Sequence, residues 1–248
     1  MASSQCCSNP PTLNPSSGTG HVKNLGGLDS YVTGSPHSNL AVLLVSDIHG
    51  FEAPKLRKLA DKVAAAGFVV VVPDFFYKDP YAPDDANRPF DVWKIDHHPD
   101  KGFEAAKPVL EALKSKGVSA IGAAGFCWGA KVVIELAKLP LIQAAALCHP
   151  AVVTVDDFKG KISVKVPISL LGAEIDQMCL PEVVKQFEEV LTAKPEVKGH
   201  VKIFPKVAHG WTVRYNVEDK AACKAAEEAH QDLLEWFLKH VKWLASSL

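Results

Sequence analysis

The chain has 248 residues, 48% of them hydrophobic, enough to bury a large core in one α/β domain or two small ones. Its 27 Lys plus Arg nearly balance 28 Asp plus Glu, and no long block of one sign occurs, which argues against nucleic acid or an anionic membrane as partner. No apolar run reaches the about 18 residues that a membrane span needs, so the expectation is a soluble, cytoplasmic protein.

Residues 1–20, "MASSQCCSNPPTLNPSSGTG", are rich in Ser, Pro, Gly and Asn and lack the basic start and apolar run of a secretory signal. They read as a flexible tail whose Cys6 and Cys7 are incidental thiols, ahead of a single domain over 21–248. "AVLLVSDIHG" is an apolar run ending in a turn, the pattern of a strand buried on both faces. Leu56, Leu59, Ala60 and Val63 then follow helical spacing, with Gly67 as the stop. "FVVVVPDFF" is a second buried strand, closed by Pro73. The proline-rich, charged stretch from Tyr77 to Pro99 reads as a long excursion of the kind that forms lids or binding loops.

A helix with Leu110 and Leu113 inward and Gly117 as its stop follows; Pro108 predicts either a kink or a late start. "SAIGAAGF" predicts a strand and "AKVVIELAK" a helix. "LIQAAALCHP" and "VPISLLGAEID" are two more strands. Val184, Phe187 and Leu191 mark a helix before the last strand, "GHVKIFP". Ala222, Ala226, Ala229, Leu233, Phe237 and Val241 form a closing amphipathic stripe. Strands alternating with helices imply an α/β fold, a mainly parallel sheet with helices on both faces. In such sheets chemistry gathers beyond the carboxyl ends of the strands, which singles out Asp47, His49, Asp74, Cys127, His149, Asp176 and His209.

Gly125-Phe126-Cys127-Trp128-Gly129 is G-x-C-x-G, the cysteine form of the nucleophile elbow. Glycines flank the cysteine because a strand turning abruptly into a helix brings backbone against both sides of it. The central residue is strained and its sulfur stands above the sheet edge, near a helix N-terminus that favours thiolate. The Trp128 N–H is placed to donate to an oxyanion, and a second donor is expected from the Ile48 N–H in "VLLVSDIHGFE". A thiol nucleophile needs a base and the base an orienting acid. His209 follows the last strand and Asp176 the strand before it. The order Cys127, Asp176, His209 is the nucleophile–acid–histidine order of the elbow-bearing hydrolases. Glu174 is the second choice of acid. Asp47, beside the sulfur, is expected to keep the resting thiol protonated. Catalysis of this kind requires the three side chains to touch in a chain and the sulfur to be reachable from solvent or a cavity.

At these residues the chain resembles the dienelactone hydrolase (carboxymethylenebutenolidase) family of the α/β-hydrolase fold. The resemblance is carried by "GFCWGA", "SDIHGFE", "GAEID" and "AHGWTVR", and extends over most of residues 25–244. It is similar in style to plant members, some of which carry a mixed-linkage β-glucan hydrolase name. The resemblance implies an ester or lactone hydrolase working through a Cys-His-Asp triad and an acyl-enzyme. It makes Cys127 the nucleophile, His209 the base, Asp176 its partner and Arg214 a binder of a substrate carboxylate. Asp47 stands where bacterial members have a glutamate, and Ala130 replaces a usual glycine.

Two other functions compete. A glycosidase needs two carboxylates flanking the scissile bond, and Asp47, Asp74 and Asp176 are the acids available. A non-catalytic binder would keep the shell without turnover. His149 is placed to line the pocket, and Trp128, Trp211 and Trp93 are candidates for an aromatic wall or for core. The six cysteines include no C-x-x-C pair and read as reduced thiols, with Cys148, Cys179 and Cys223 as small buried hydrophobes. Neither His97-His98 nor Cys148-His149 is a spaced ligand set, so no metal and no cofactor is expected. The expected partner is a small-molecule ester or lactone, bound by a monomer or homodimer.

Overall fold

The structure is a computed structural model in which residues 5–160 and 163–242 are described. Eight strands form one sheet: β1 (His21–Leu25), β2 (Leu28–Thr33), β3 (Leu40–Val45), β4 (Val69–Pro73), β5 (Ala120–Phe126), β6 (Ala144–Cys148), β7 (Ile168–Ile175) and β8 (Gly199–Ala208). Their spatial order is β1-β2-β4-β3-β5-β6-β7-β8. From β4 to β8 every pairing is parallel, while β1–β2 and β2–β4 are antiparallel. The mainly parallel α/β sheet therefore agrees with the pattern of the sequence, with an antiparallel hairpin added at one edge.

The central strands are buried on both faces, and the core divides into two clusters, one on each side of the sheet. One face is covered by helices α3 (Pro99–Ser115), α4 (Trp128–Ala137) and α5 (Pro181–Thr192), the other by α1 (Pro54–Ala65) and α6 (Lys220–His240). The stripe foreseen on α6 is this contact: Ala226, Ala229, Leu233 and Phe237 are buried. Gly122 on β5 lies under it, for a Cβ there would stand 2.7 Å from the Phe237 ring.

Two stretches differ from expectation. The excursion contains a short helix, α2 (Phe90–Asp96), and α3 starts at Pro99, well before Leu110. Proline is favoured in the first turn of a helix, where its missing N–H has no intrahelical partner. Pro108 stays inside α3, and its carbonyl carbon would lie 2.4 Å from a Cβ on Gly26 in the β1–β2 turn. The excursion is also well anchored. Trp93 is 1% exposed and packs on Phe76, Tyr81 and Phe90, and its Nε1–H donates to Asp79 O at 2.9 Å. Arg88 bridges Asp79 and Asp96 at 2.5 and 2.9 Å.

Of residues 1–20, expected as a flexible tail, 1–4 lie outside the described residues, and 5–20 lie along the domain. Asn14 N–H donates to Glu52 O at 3.1 Å, Tyr31 O–H accepts from Gly20 N–H at 2.8 Å, and Arg57 donates to the Pro15 carbonyl at 2.6 Å. Among the described residues no helix is long and apolar enough to cross a membrane.

Candidate active site

Four parallel strands deliver the site. Cys127 stands between β5 and α4 with φ 51° and ψ −111°, a conformation that costs an L-residue about 1–3 kcal/mol. The flanking glycines are obligatory for steric reasons: a Cβ on Gly125 would lie 2.2 Å from Gly129 O, and one on Gly129 2.2 Å from Val45 O. The bend is tied to β6 by Cys127 N–H donating to Cys148 O at 3.1 Å, and Cys127 O accepts from Ala151 N–H at 3.0 Å. Trp128 is the first residue of α4, so its N–H has no acceptor within the helix. Ile48 sits in the turn after β3, closed by Gly50 N–H donating to Asp47 O at 3.1 Å.

Asp176 and His209 follow β7 and β8. His209 Nδ1 lies 2.8 Å from Asp176 Oδ2, and both side chains are fully buried. The other carboxylate oxygen accepts from Met178 N–H at 2.8 Å and Cys179 N–H at 3.2 Å, which fixes the acid against rotation. Glu174, the second choice of acid, is exposed and accepts from Lys206 N–H at 2.7 Å instead. Strand β7 has not ended at residue 174, so that side chain lies on the solvent side. Burial works to lower the His209 pKa, but Asp176 and the Cys6 sulfur outweigh it and raise it.

Beside the sulfur, Asp47 Oδ2 pairs with Arg214 Nε at 3.3 Å, and both side chains are 2% exposed. Gly210, at φ 89°, lets this guanidinium in, for a Cβ there would be 2.3 Å from its Nε. Asp47 thus has a cation of its own, and its effect on the thiol is weaker than expected. The Cys127 pKa is raised chiefly by the neighbouring Cys6 sulfur and by burial; Arg214 lowers it and Asp47 adds the least.

The expectation of an open sulfur is not met. Cys127 is 0% exposed, and Cys6 Sγ lies 3.3 Å from its Sγ. The two sulfurs and a His209 ring nitrogen all lie within 4.8 Å of one another. Cys6 is therefore not an incidental thiol, although nothing near it in sequence marks it. Its pKa is lowered to about 5 by Cys127 and His209, with Arg214 adding to them. The three side chains are also a compact N/S donor set, which the spacing of the sequence does not show.

His149 (φ 39°) lies beneath His209, ring centroids 5.1 Å apart, with Nε2 bound to Thr212 Oγ1 at 2.7 Å. It is a buried support rather than a pocket wall. Burial, with the His209 and Arg214 charges, holds its pKa well below the usual imidazole value. Trp211 lines a cleft of 390 Å³ with His209, Arg214 and Asn9. Trp93 instead joins the aromatic cluster on Phe76 at 5.0 Å, while Trp128 joins that cluster at 4.8 Å and also lines a separate cleft of 630 Å³ with Phe75, Tyr77 and His97. Cys148 and Cys179 are buried, as expected, whereas Cys223 is only half-buried.

The profile of the dienelactone hydrolase family matches residues 28–241. A Zea mays protein named endo-1,3;1,4-beta-D-glucanase is 44% identical over 90% of this chain and 74% of its own. A carboxymethylenebutenolidase homolog of Xenopus tropicalis is 33% identical over 86% and 88%. Among solved structures, a candidate dienelactone hydrolase from Klebsiella pneumoniae superposes with a TM-score of 0.69 at 18% identity, covering 86% of this chain and 93% of its own. A thermophilic esterase from Thermogutta terrifontis does so at 0.63 and 16%, covering 91% and 96%. These likenesses establish an α/β-hydrolase fold.

Proposed function

Because the chain belongs to the dienelactone hydrolase family, we propose that it opens carboxylic esters or lactones through a thioester acyl-enzyme built on Cys127. The observation that carries this is the Asp176–His209 contact of 2.8 Å, standing next to a strained elbow sulfur. Asp176 holds Nδ1–H, which leaves Nε2 as the base that takes the Cys127 proton. The sulfur then attacks the acyl carbon. Negative charge develops on the carbonyl oxygen, where the Trp128 and Ile48 N–H groups donate. His209 returns its proton to the departing alkoxide, giving an alcohol, or for a lactone a hydroxyl still tethered to the acyl group. Water, deprotonated by the same Nε2, attacks the thioester; the C–S bond breaks and the thiol is restored. Arg214, a buried cation beside the site, fits a substrate that carries a carboxylate.

The test is intact-protein and peptide mass spectrometry after incubation with a panel of esters and lactones. An acyl increment on Cys127, lost in Cys127→Ala together with turnover, is expected; full turnover by Cys127→Ala would overturn the assignment. The name of the maize relative suggests a second activity, on mixed-linkage β-glucan. The acids near the sulfur do not favour it, since Asp176 is bound to His209 and Asp47 to Arg214. Reducing-sugar release from such a glucan by Cys127→Ala would support it.

A further inference from the structure

The proposed hydrolysis makes no use of Cys6, a second thiol inside the site. Both sulfurs are free thiols, both side chains are buried, and they touch at 3.3 Å across 121 positions of sequence. The segment around Cys6 is moored to the strand ends that carry the site. Gln5 Nε2 donates to Ile175 O at 3.1 Å, and Gln177 N–H donates to Gln5 Oε1 at 2.6 Å. Arg214 Nη1 donates to the carbonyls of Cys6 and Ser8 at 2.7 and 2.8 Å. Two backbone oxygens thus occupy Nη1 of the guanidinium that a substrate carboxylate would need, and a thiol lies where an acyl group must meet Cys127. No helix or strand holds residues 5–9, since β1 begins at His21.

We propose that residues 5–9 are a built-in plug of the active site and that Cys6 is its redox latch, joined to Cys127 by peroxide and released by a dithiol. This rests on Cys127 being the nucleophile. For reaction, the segment must lift, carrying Cys6 and its carbonyls off Arg214. Oxidation stops that movement. A thiolate of the pair attacks a peroxide oxygen: an S–O bond forms, the O–O bond breaks, and water or an alcohol leaves. The second thiol then attacks the sulfenic sulfur and expels water, so the two thiols lose two electrons in all and the peroxide gains them. The sulfurs need to close only from 3.3 Å to about 2.05 Å, a displacement that a segment outside any helix or strand can supply. His209 and Arg214 beside the pair favour the thiolate that begins the reaction. The disulfide also spares Cys127 from irreversible over-oxidation.

The test treats the full-length protein with stoichiometric hydrogen peroxide and follows p-nitrophenyl ester hydrolysis alongside a non-reducing peptide map. A Cys6–Cys127 linked peptide, lighter by two hydrogens, should accumulate as activity falls at least tenfold, and dithiothreitol should restore both. Cys6→Ser should hydrolyse the ester before treatment, yet its loss under peroxide should not be reversed by dithiothreitol, with Cys127 found as sulfinic or sulfonic acid. Oxidised wild type that carries no Cys6–Cys127 link, or Cys6→Ser recovering as well as wild type does, would overturn the latch. The peptide map is read without reference to turnover. A linked peptide together with a fully active Cys127→Ala would therefore sink the nucleophile assignment alone.

Discussion

At Cys127 the chain has no alternative to its two glycines, because the oxygens of Gly129 and Val45 stand 2.2 Å from any Cβ placed at 125 or 129. That steric demand is local, so it is legible in the sequence as G-x-C-x-G. The contact between Asp176 and His209 is long-range but still legible, because both residues sit at the ends of neighbouring parallel strands. Cys6 is illegible: its partner lies 121 residues away and its own neighbourhood has only tail composition. The Asp176 carboxylate, held by two backbone N–H groups, fixes the His209 tautomer as well as its position. Asp176→Asn keeps the shape but offers His209 Nδ1–H a weaker acceptor and permits the wrong tautomer. We expect ester kcat to fall by about 10⁴-fold, as in other oriented histidine bases, with an unchanged circular dichroism spectrum. A loss below tenfold in steady-state assay would mean that His209 does not act as the base.

Among the elements, the long periodic ones are readable and the short or interrupted ones are not. The strands from β3 to β7 and the stripe of α6 are strong signals because burial on both faces, or on one, repeats along them; β8, the edge strand, buries only Phe204 and Val207. The β1–β2 hairpin escapes a reading by periodicity, although Gly26-Gly27, at φ 61° and 91°, is the turn dipeptide such hairpins prefer. The start of α3 escapes it because Gly102 and Pro108 weaken its pattern. Tertiary contact explains both: a Cβ on Gly102 would lie 2.5 Å from the Trp128 ring, and Pro108 abuts Gly26. The excursion reads as loop because its apolar residues follow no period; they converge on Trp93 instead. Trp93→Ala removes a ring that is 1% exposed and deletes the bond to Asp79 O. A cost of about 3–5 kcal/mol is expected in urea unfolding, the usual range for a buried tryptophan. A change under about 0.5 kcal/mol, the size of a surface substitution, would show that α2 is not seated through this ring.

At the scale of the molecule, the parallel sheet brings the ends of β3, β5, β7 and β8 to one edge, and residues 5–9 are laid across it. The charges acting on Cys127 therefore come from three places: Asp47 after β3, Arg214 after β8, and Cys6 from residues 5–9. Only one of two touching sulfurs can hold a negative charge at ordinary cost, so lowering the Cys6 pKa to about 5 and raising that of Cys127 are two sides of one contact. Removing Cys6 takes away the largest cause of the rise and leaves the Arg214 charge to favour the Cys127 thiolate against burial and Asp47. In Cys6→Ser the rate of iodoacetamide labelling at Cys127, resolved by peptide mapping, should therefore reach its half-maximum at a lower pH than in wild type. Asp47→Asn should move that profile in the same direction but by less, since Asp47 is paired with Arg214 at 3.3 Å and contributes least to the rise. The sign follows from linkage: a group whose ionised form is disfavoured by a neighbouring anion ionises at lower pH once that anion is gone. If Asp47→Asn shifted the profile further than Cys6→Ser, the resting protonation of Cys127 would be governed from inside the domain. Residues 5–9 would then be a cover without electrostatic consequence.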